Sequence, residues 1–301
     1  IKPKKIMFAS YDLWPNFVWI SRLKGIHVNL YSVKTKKSYL KNNQISQHIY
    51  RSIYSSLSSL YTISEDDMKD VCDILGSNLG PELRVVGNPR YDLVMNQAME
   101  FRQNDVEKLQ DRDMRIIIGS VHKEEEDYLV PALVQLMNEN SDLKVLYALH
   151  EPTDSALRRI KKKFNDHGIV GTVFRKKTDL KLPDNPLVIL GVVGVLSRLY
   201  WQGQIAYIGG GHSTGVHNVM EPAVARLPVI FGPRYHNSHE AEELINNNGG
   251  FCANDGQDFL SIIKNLISDS KYHKMTSLSA SDVVYKNVGS TREMVQQIFC
   301  D

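Results

Sequence analysis

The sequence predicts an α/β protein built as two consecutive Rossmann-like, doubly wound domains, with polar groups gathered at strand ends around a cleft. Three observations carry this. Short apolar runs alternate with amphipathic segments along most of the chain, the pattern of repeated β-α-β units. Polar turns follow these runs at the carboxyl ends, where open parallel sheets bind ligands. One charged stretch, Asn96 to Asp113, interrupts the alternation, with little apolar patterning beyond Val106 and Leu109. The expected division is therefore a first, incomplete domain over 1–95, a connection over 96–113, and a second domain over 114–301. The last helix is a candidate to cross back to the first domain.

The elements follow in order. Lys5 to Ser10 reads as a buried strand, and Pro15 is placed to start a helix through Lys24. Ile26 to Tyr31 is the next strand, so Asp12 falls at a strand end, as a site residue or as the N-cap of the helix that follows. After a basic loop from Ser32 to Tyr39, a helix is expected over Gln47 to Leu57, a strand over Leu60 to Ser64, and a helix from Glu65 to Leu75 ended by Gly76. Leu83 to Val86 gives one more strand, closing with Gly87 to Asp92.

In the second domain Arg115 to Ile118 is a strand, and Gly119 and Ser120 read as a tight turn. Glu124 to Asp127 then complement the dipole of the helix that they open. Ser120 and His122 sit at the turn as ligand candidates, and His150 follows the next strand, Leu143 to Ala148. A basic amphipathic helix covers Asp154 to His167, Leu187 to Leu190 is a strand, and Gly194 opens a helix through Tyr200. Helices over Asn237 to Asn246, Asp258 to Ser268 and Ser290 to Cys300, and a strand over Phe251 to Ala253, complete the chain.

The stretch from Ile205 to Pro233 carries the strongest ligand signal: an apolar run, Gly209, Gly210 and Gly211, a short helix, and a second apolar run. Three residues without a Cβ let a ligand approach the backbone. Pro222 requires the helix to start close to Glu221, which places a carboxylate able to accept from sugar hydroxyls beside His217 and Asn218.

Composition excludes several classes. With 301 residues, 42% hydrophobic and 23% charged, the chain is long enough for about two globular domains. A formal net charge of +2 makes no case for nucleic acid, although the early segment is locally basic (Lys2, Lys4, Lys5, Arg22, Lys24, Lys34, Lys36, Lys37, Lys41) and suits an anionic surface or substrate. Cys72, Cys252 and Cys300 are odd in number and dispersed without metal-type spacing, which suits a reducing compartment and no zinc. No run reaches membrane-spanning length. There is no GKS or GKT phosphate loop, no GxGxxG at a first strand, no GxSxG elbow and no HExxH helix. A two-domain glycosyltransferase of the GT-B type remains, needing no cofactor.

At this point the segments resemble a known family, the Kdo (3-deoxy-D-manno-octulosonic acid) transferases of lipopolysaccharide biosynthesis. YDLWPN is similar to the family's E-L-W-P-N segment, HVNLYSVKTKKS to V-N-A-R-x-S-x-R-S, and VVGNPRYD to its GN-x-(K/R)-(F/Y)-D turn. GSVHKEEE resembles GS-T-H-x-x-E-E, ALHEP resembles P-H-E-P, and the stretch from Gly209 to Pro233 matches GG-x(n)-G-x-HN-x-x-EP-x-x-x-x-x-PV-x-x-GP closely. KNVGSTREM is similar to the family's closing segment.

The resemblance implies an inverting, metal-independent transfer of Kdo from CMP-Kdo to a phosphorylated lipid A precursor. The enzyme would work peripherally at the cytoplasmic face of the bacterial inner membrane. It assigns Ser120, His122, His150, Gly194, Gly210, Gly211, His217, Asn218 and Glu221 to the nucleotide, with Glu221 on ribose hydroxyls. Asn29, Ser32 and Lys34 are assigned to the acceptor side, and Asp12, as a catalytic candidate, to the acceptor or Kdo side.

The departures are specific. Family members begin with roughly another hundred residues, the size of a half-domain, including a hydrophobic anchor and a loop bearing the main base, so both are expected upstream of Ile1. Asp12 stands where the family has glutamate, and GVVG replaces D-(S/T)-(M/V)-G. Two alternatives follow: a non-catalytic nucleotide-sugar-binding module derived from this fold, or a GT-B transferase or epimerase using another nucleotide-sugar.

Overall fold

The computed structural model describes residues 2–10, 12–35, 44–76, 80–105 and 111–299, without the side chains of 44 and 102–105. The basic-loop positions Lys36, Lys37 and Lys41, the apolar positions Val106 and Leu109, and Cys300 lie outside the described residues. The chain divides into two compact units, Ile1–Leu93 with Asn287–Asp301, and Val94–Lys286.

Unit 1 holds a four-stranded parallel sheet in the order β1-β2-β3-β4, from β1 (Lys5–Ala9), β2 (His27–Val33), β3 (Ser59–Thr62) and β4 (Glu82–Val85). Helices α1 (Pro15–Leu23), α2 (Gln44–Tyr54) and α3 (Glu65–Leu75) connect the strands. Val18, Leu30, Leu60 and Val71 centre its core. Pro15 opens α1 as expected, but the N-cap position belongs to Trp14 and carries no side-chain bond. Asp12 is exposed and does not cap the helix.

The stretch from Asn96, read as a connection, is helical as far as Asp105 within α4 (Arg90–Asp105). Its sparse apolar pattern reflects a helix with few buried positions, such as Val94 and Ala98. The last helix, α12 (Ser290–Phe299), packs Met294 and Ile298 against Tyr61 and Val86 of unit 1. Asp92 holds its start, accepting from the backbone N–H of Gly289 at 2.7 Å and of Thr291 at 2.8 Å.

Unit 2 is a seven-stranded parallel sheet in the order β11-β10-β9-β5-β6-β8-β7. Its strands are β5 (Arg115–Val121), β6 (Lys144–Leu149), β7 (Gly171–Phe174), β8 (Leu187–Leu190), β9 (Ile205–Ile208), β10 (Val229–Phe231) and β11 (Gly250–Cys252). The helices are α5 (Glu126–Glu139), α6 (Asp154–Asn165), α7 (Leu196–Leu199), α8 (Met220–Val224), α9 (His239–Asn246), α10 (Gly256–Ser268) and α11 (Ser270–Lys286).

One sheet face, with Ile116, Ile118, Tyr147 and Tyr207, packs against Leu133, Ile160 and Phe259. Residues of the opposite pleat, Ile117, Leu146 and Ala206, are buried as well. Burial on both faces explains why these strands read as continuous apolar runs. The strand order reverses beside β5, so the switch point lies between β5 and β9, where ligands of doubly wound sheets are expected.

Two elements have no sequence signal. β7 is a four-residue edge strand. In α11 the buried face includes Thr276, Ser277, Ala280 and Ser281, small residues that hide the apolar period. The close approach is visible at Gly249, where a Cβ would lie 2.5 Å from the Cα of Ala280.

Candidate active site

The site is built at the carboxyl ends of β5, β6 and β9, beginning with an irregular strand. Gly119 and Ser120 form no tight turn: β5 runs on to Val121, with a register shift against β6 between Ile118 and Val121. Ser120 absorbs that shift at φ 55°, a left-handed conformation that an L-residue adopts at a cost. The shift delivers His122 just past the sheet edge.

Three imidazoles meet there. His122 follows β5, His150 follows β6, and His217 returns by the glycine loop after β9. Their ring centroids are 4.5 Å apart for His122–His150, 5.0 Å for His122–His217 and 4.6 Å for His150–His217, with ring planes within 16° of parallel in each pair. The Nε2 atoms of His122 and His217 are 2.7 Å apart. The backbones are pinned: His122 N–H donates to Glu125 Oε2 (3.0 Å), His150 N–H to the Val121 carbonyl (2.9 Å) and His217 N–H to the Gly209 carbonyl (3.2 Å). Burial pushes the His217 imidazole down to about 4, and the neighbouring His150 and His122 act in the same direction.

Beneath the rings lies a carboxylate that sequence reasoning placed at a helix dipole. Glu125 is fully buried, and it accepts from Tyr207 Oη at 2.8 Å, from His122 N–H, and from Gly210 N–H at 3.1 and 2.9 Å to its two oxygens. Tyr207 in turn meets Tyr128, whose hydroxyl burial pushes far above the usual phenol range. Glu126, equally buried, takes a two-pronged bond from Arg159 at 3.1 and 2.7 Å, and Asp127 pairs with Lys163 at 2.7 Å. Tertiary anchoring, with the dipole effect secondary, accounts for the acidic run.

The glycine loop departs from its sequence reading in the same way. A Cβ on Gly209 would lie 2.3 Å from the Ser120 carbonyl oxygen, one on Gly210 2.3 Å from the Gly215 carbonyl oxygen, and one on Gly211 2.5 Å from the Gly232 nitrogen. The missing side chains accommodate the protein's own backbone, and Gly210 additionally needs φ 92°. Gly194 differs, with φ 84° and nothing within 4 Å of a built Cβ.

Asn218 and Glu221 form a local pair at the start of α8. Asn218 Oδ1 accepts from Met220 N–H at 3.1 Å, and its Nδ2 donates to Glu221 Oε1 at 3.0 Å. Glu221 lines a cavity of about 490 Å³ together with Ser197, Arg198, Trp201, Gln97 and Phe101. Phe101 and Trp201 stack there at 5.6 Å.

In unit 1, Ser32 stands at φ 54° beside a register shift of β2, mirroring Ser120, and Lys34 follows it at the carboxyl end of the strand. Asp12 follows the neighbouring strand β1, so these three share one sheet end. Asn29 is separate: it is buried within β2 and its Oδ1 accepts from Ser59 Oγ.

Known proteins share parts of this sequence and fold. Residues 1–93 match the family described as 3-Deoxy-D-manno-octulosonic-acid transferase (kdotransferase). The chain is 25% identical over 284 residues to the 3-deoxy-D-manno-octulosonic acid transferase of Rickettsia typhi, covering 91% of this chain and 58% of that protein. It thus spans about three-fifths of the length of such curated relatives.

Among solved structures, the C-terminal CMP-Kdo binding domain of WaaA from Acinetobacter baumannii aligns at TM-score 0.51 and 22% identity, covering 64% of this chain and 98% of that domain. The UDP-GlcNAc 2-epimerase from Neisseria meningitidis bound to UDP-GlcNAc aligns at TM-score 0.67 and 12% identity, covering 99% of this chain and 76% of that one. Such likenesses show the α/β fold with its paired Rossmann-like sheets, of GT-B type. With residues 1–93 matching that family and alignments over about nine-tenths of the chain to relatives of one name, this chain is similar to the Kdo transferases across both of its units.

Proposed function

We propose that this chain supplies the donor side and part of the acceptor side of a Kdo transferase, moving Kdo from CMP-Kdo to a phosphorylated lipid A precursor with inversion. The observation that carries this reading is the convergence of His122, His150, His217 and the glycine loop at the switch point of the unit 2 sheet. Polar groups at such a switch point suit a nucleotide. Ser120, His122, His150, Gly194, Gly210, Gly211, His217 and Asn218 are assigned to the CMP moiety, and Glu221, at the wall of its cavity, to the ribose hydroxyls.

Backbone N–H groups and imidazoles would stabilise the departing phosphate, and the transfer calls on no metal. Asp12, Ser32 and Lys34 are assigned to the acceptor, whose phosphates suit a basic segment. Asn29, buried against Ser59, supports that sheet end without touching the acceptor. Among the described residues no helix is long and apolar enough to cross a membrane, and the proposed membrane contact is peripheral.

Calorimetry of the chain with CMP, UMP and UDP tests the reading. CMP is expected to bind in preference to UMP and UDP. Binding of UDP without CMP would reassign the site to another nucleotide-sugar, and no binding of any of the three would remove the nucleotide reading. Glu221→Ala should weaken CMP by about 1–3 kcal/mol, the range for a hydrogen bond to a charged group.

A further inference from the structure

The three rings at the switch point are placed as metal ligands are placed. Neighbouring strands of a sheet lie about 4.8 Å apart, so two imidazoles on adjacent strands come within 5 Å through strand spacing alone. That accounts for His122 with His150, which follow adjacent strands. It does not account for His217, which lies on the loop beyond β9 and is folded back onto the Gly209 carbonyl, nor for its ring meeting that of His150 with β5 lying between β6 and β9. Those two rings are nonetheless 4.6 Å apart. The centroids form a triangle of 4.5, 5.0 and 4.6 Å, with no column of stacked rings.

A triangle suits one central ion. Zinc–nitrogen bonds of about 2.0–2.1 Å in tetrahedral array set ligand nitrogens about 3.3 Å apart and ring centroids about 5 Å apart. One nitrogen from each of His122, His150 and His217 lies within 4.8 Å of the others, and the Nε2 atoms of His122 and His217 are 2.7 Å apart, so the spread brackets that spacing. Small ring rotations reach it. All three backbones are tied to the sheet or to Glu125, which limits what must be ordered on binding. His150 is exposed, which leaves a side open for a fourth ligand.

We propose that His122, His150 and His217 form a binding site for one divalent transition ion of the zinc class, with three imidazole nitrogens as ligands and a fourth position open to water or an anion. Imidazole suits zinc, cobalt, nickel and copper, and the absence of a carboxylate among the three ligands disfavours magnesium and calcium. The ion would use the imidazoles also assigned to the CMP moiety, and its binding without nucleotide does not rest on that assignment.

The test uses the whole chain without nucleotide. Co²⁺ is titrated and followed by its visible d–d absorption, then displaced with Zn²⁺, with calorimetry giving the stoichiometry. One Co²⁺ per chain with a four-coordinate spectrum, displaced by Zn²⁺, is expected. His150→Ala removes an exposed side chain, so the fold should persist; it and His217→Ala should each weaken binding at least about tenfold. Far-UV circular dichroism checks the fold of both variants, and His236→Ala, at an exposed histidine elsewhere, should leave binding unchanged. Absence of a tight site, affinity unchanged in His150→Ala, or equal loss in His236→Ala would each overturn the proposal.

Discussion

Glu125 is the residue on which the candidate site is expected to depend most for its shape. Its carboxylate, wholly removed from solvent, serves three donors: Tyr207 Oη, Gly210 N–H and His122 N–H. Glu125→Ala removes the acceptor of Gly210 N–H and His122 N–H and leaves Tyr207 Oη with Tyr128 alone. Each orphaned buried donor costs about 1–3 kcal/mol, and a broken buried charge network costs about 3–5 kcal/mol in total, so the loss should fall in that range. Glu125→Gln should cost less, roughly 1–2 kcal/mol. An amide oxygen at Oε2 can keep Gly210 and His122, while its NH₂ faces Tyr207 Oη, a hydroxyl able to reverse its role.

Urea denaturation followed by circular dichroism measures the loss, with the transition of unit 2 analysed separately because two units need not unfold as one. Amide hydrogen exchange across Ile205–Asn218 reports the loop directly. A Glu125→Ala loss below about 1 kcal/mol, or unchanged exchange at Gly210, would refute the view that this carboxylate clamps the glycine loop to the His122 turn.

Other expected outcomes test separate contacts. Gly209→Ala drives a Cβ into the Ser120 carbonyl and Glu125, and should cost about 1–3 kcal/mol by urea melt. Asp92→Ala removes both acceptors at the start of α12 and should lower the stability of unit 1 by about 1–2 kcal/mol. His273 is buried, with Nε2 2.8 Å from the Gln204 carbonyl. Burial lowers its pKa, and the charge of Arg112 adds to that against the opposing bond to Gln204. The unfolded chain therefore takes up a proton below about pH 6.5 that the folded chain refuses. The stability of unit 2 should be full above that pH and fall as the solution is acidified. His273→Gln should flatten the slope between pH 7.5 and 5.5 measured by urea melts, and an unchanged slope would remove His273 as its source.

Most elements were legible in the sequence because their signals are local. Glu65–Leu75 ended by Gly76 was readable from its acidic first turn and terminal glycine, and Arg115–Ile118 from its unbroken apolar run. β7 and α11 escaped because an edge strand of four residues carries little pattern, and because a helix that approaches its neighbours through Ser and Ala shows no apolar stripe.

The sequence alone also determined which residue types stand after each strand, and its ordered segments were enough to indicate a likeness to the Kdo transferases. The tertiary structure decided what those residues do. His122 and His217 are 95 positions apart, and only the order β9-β5-β6, with a loop that folds back on Gly209, sets their rings side by side. The glycines and Glu125 likewise reveal their role only through partners distant in the chain. A missing Cβ looks the same in sequence whether a ligand or the protein's own backbone fills its place. A glutamate in a first turn looks the same whether it faces water or is buried and holds three donors. Sequence records the group, while its partner and its desolvation are properties of the packed fold.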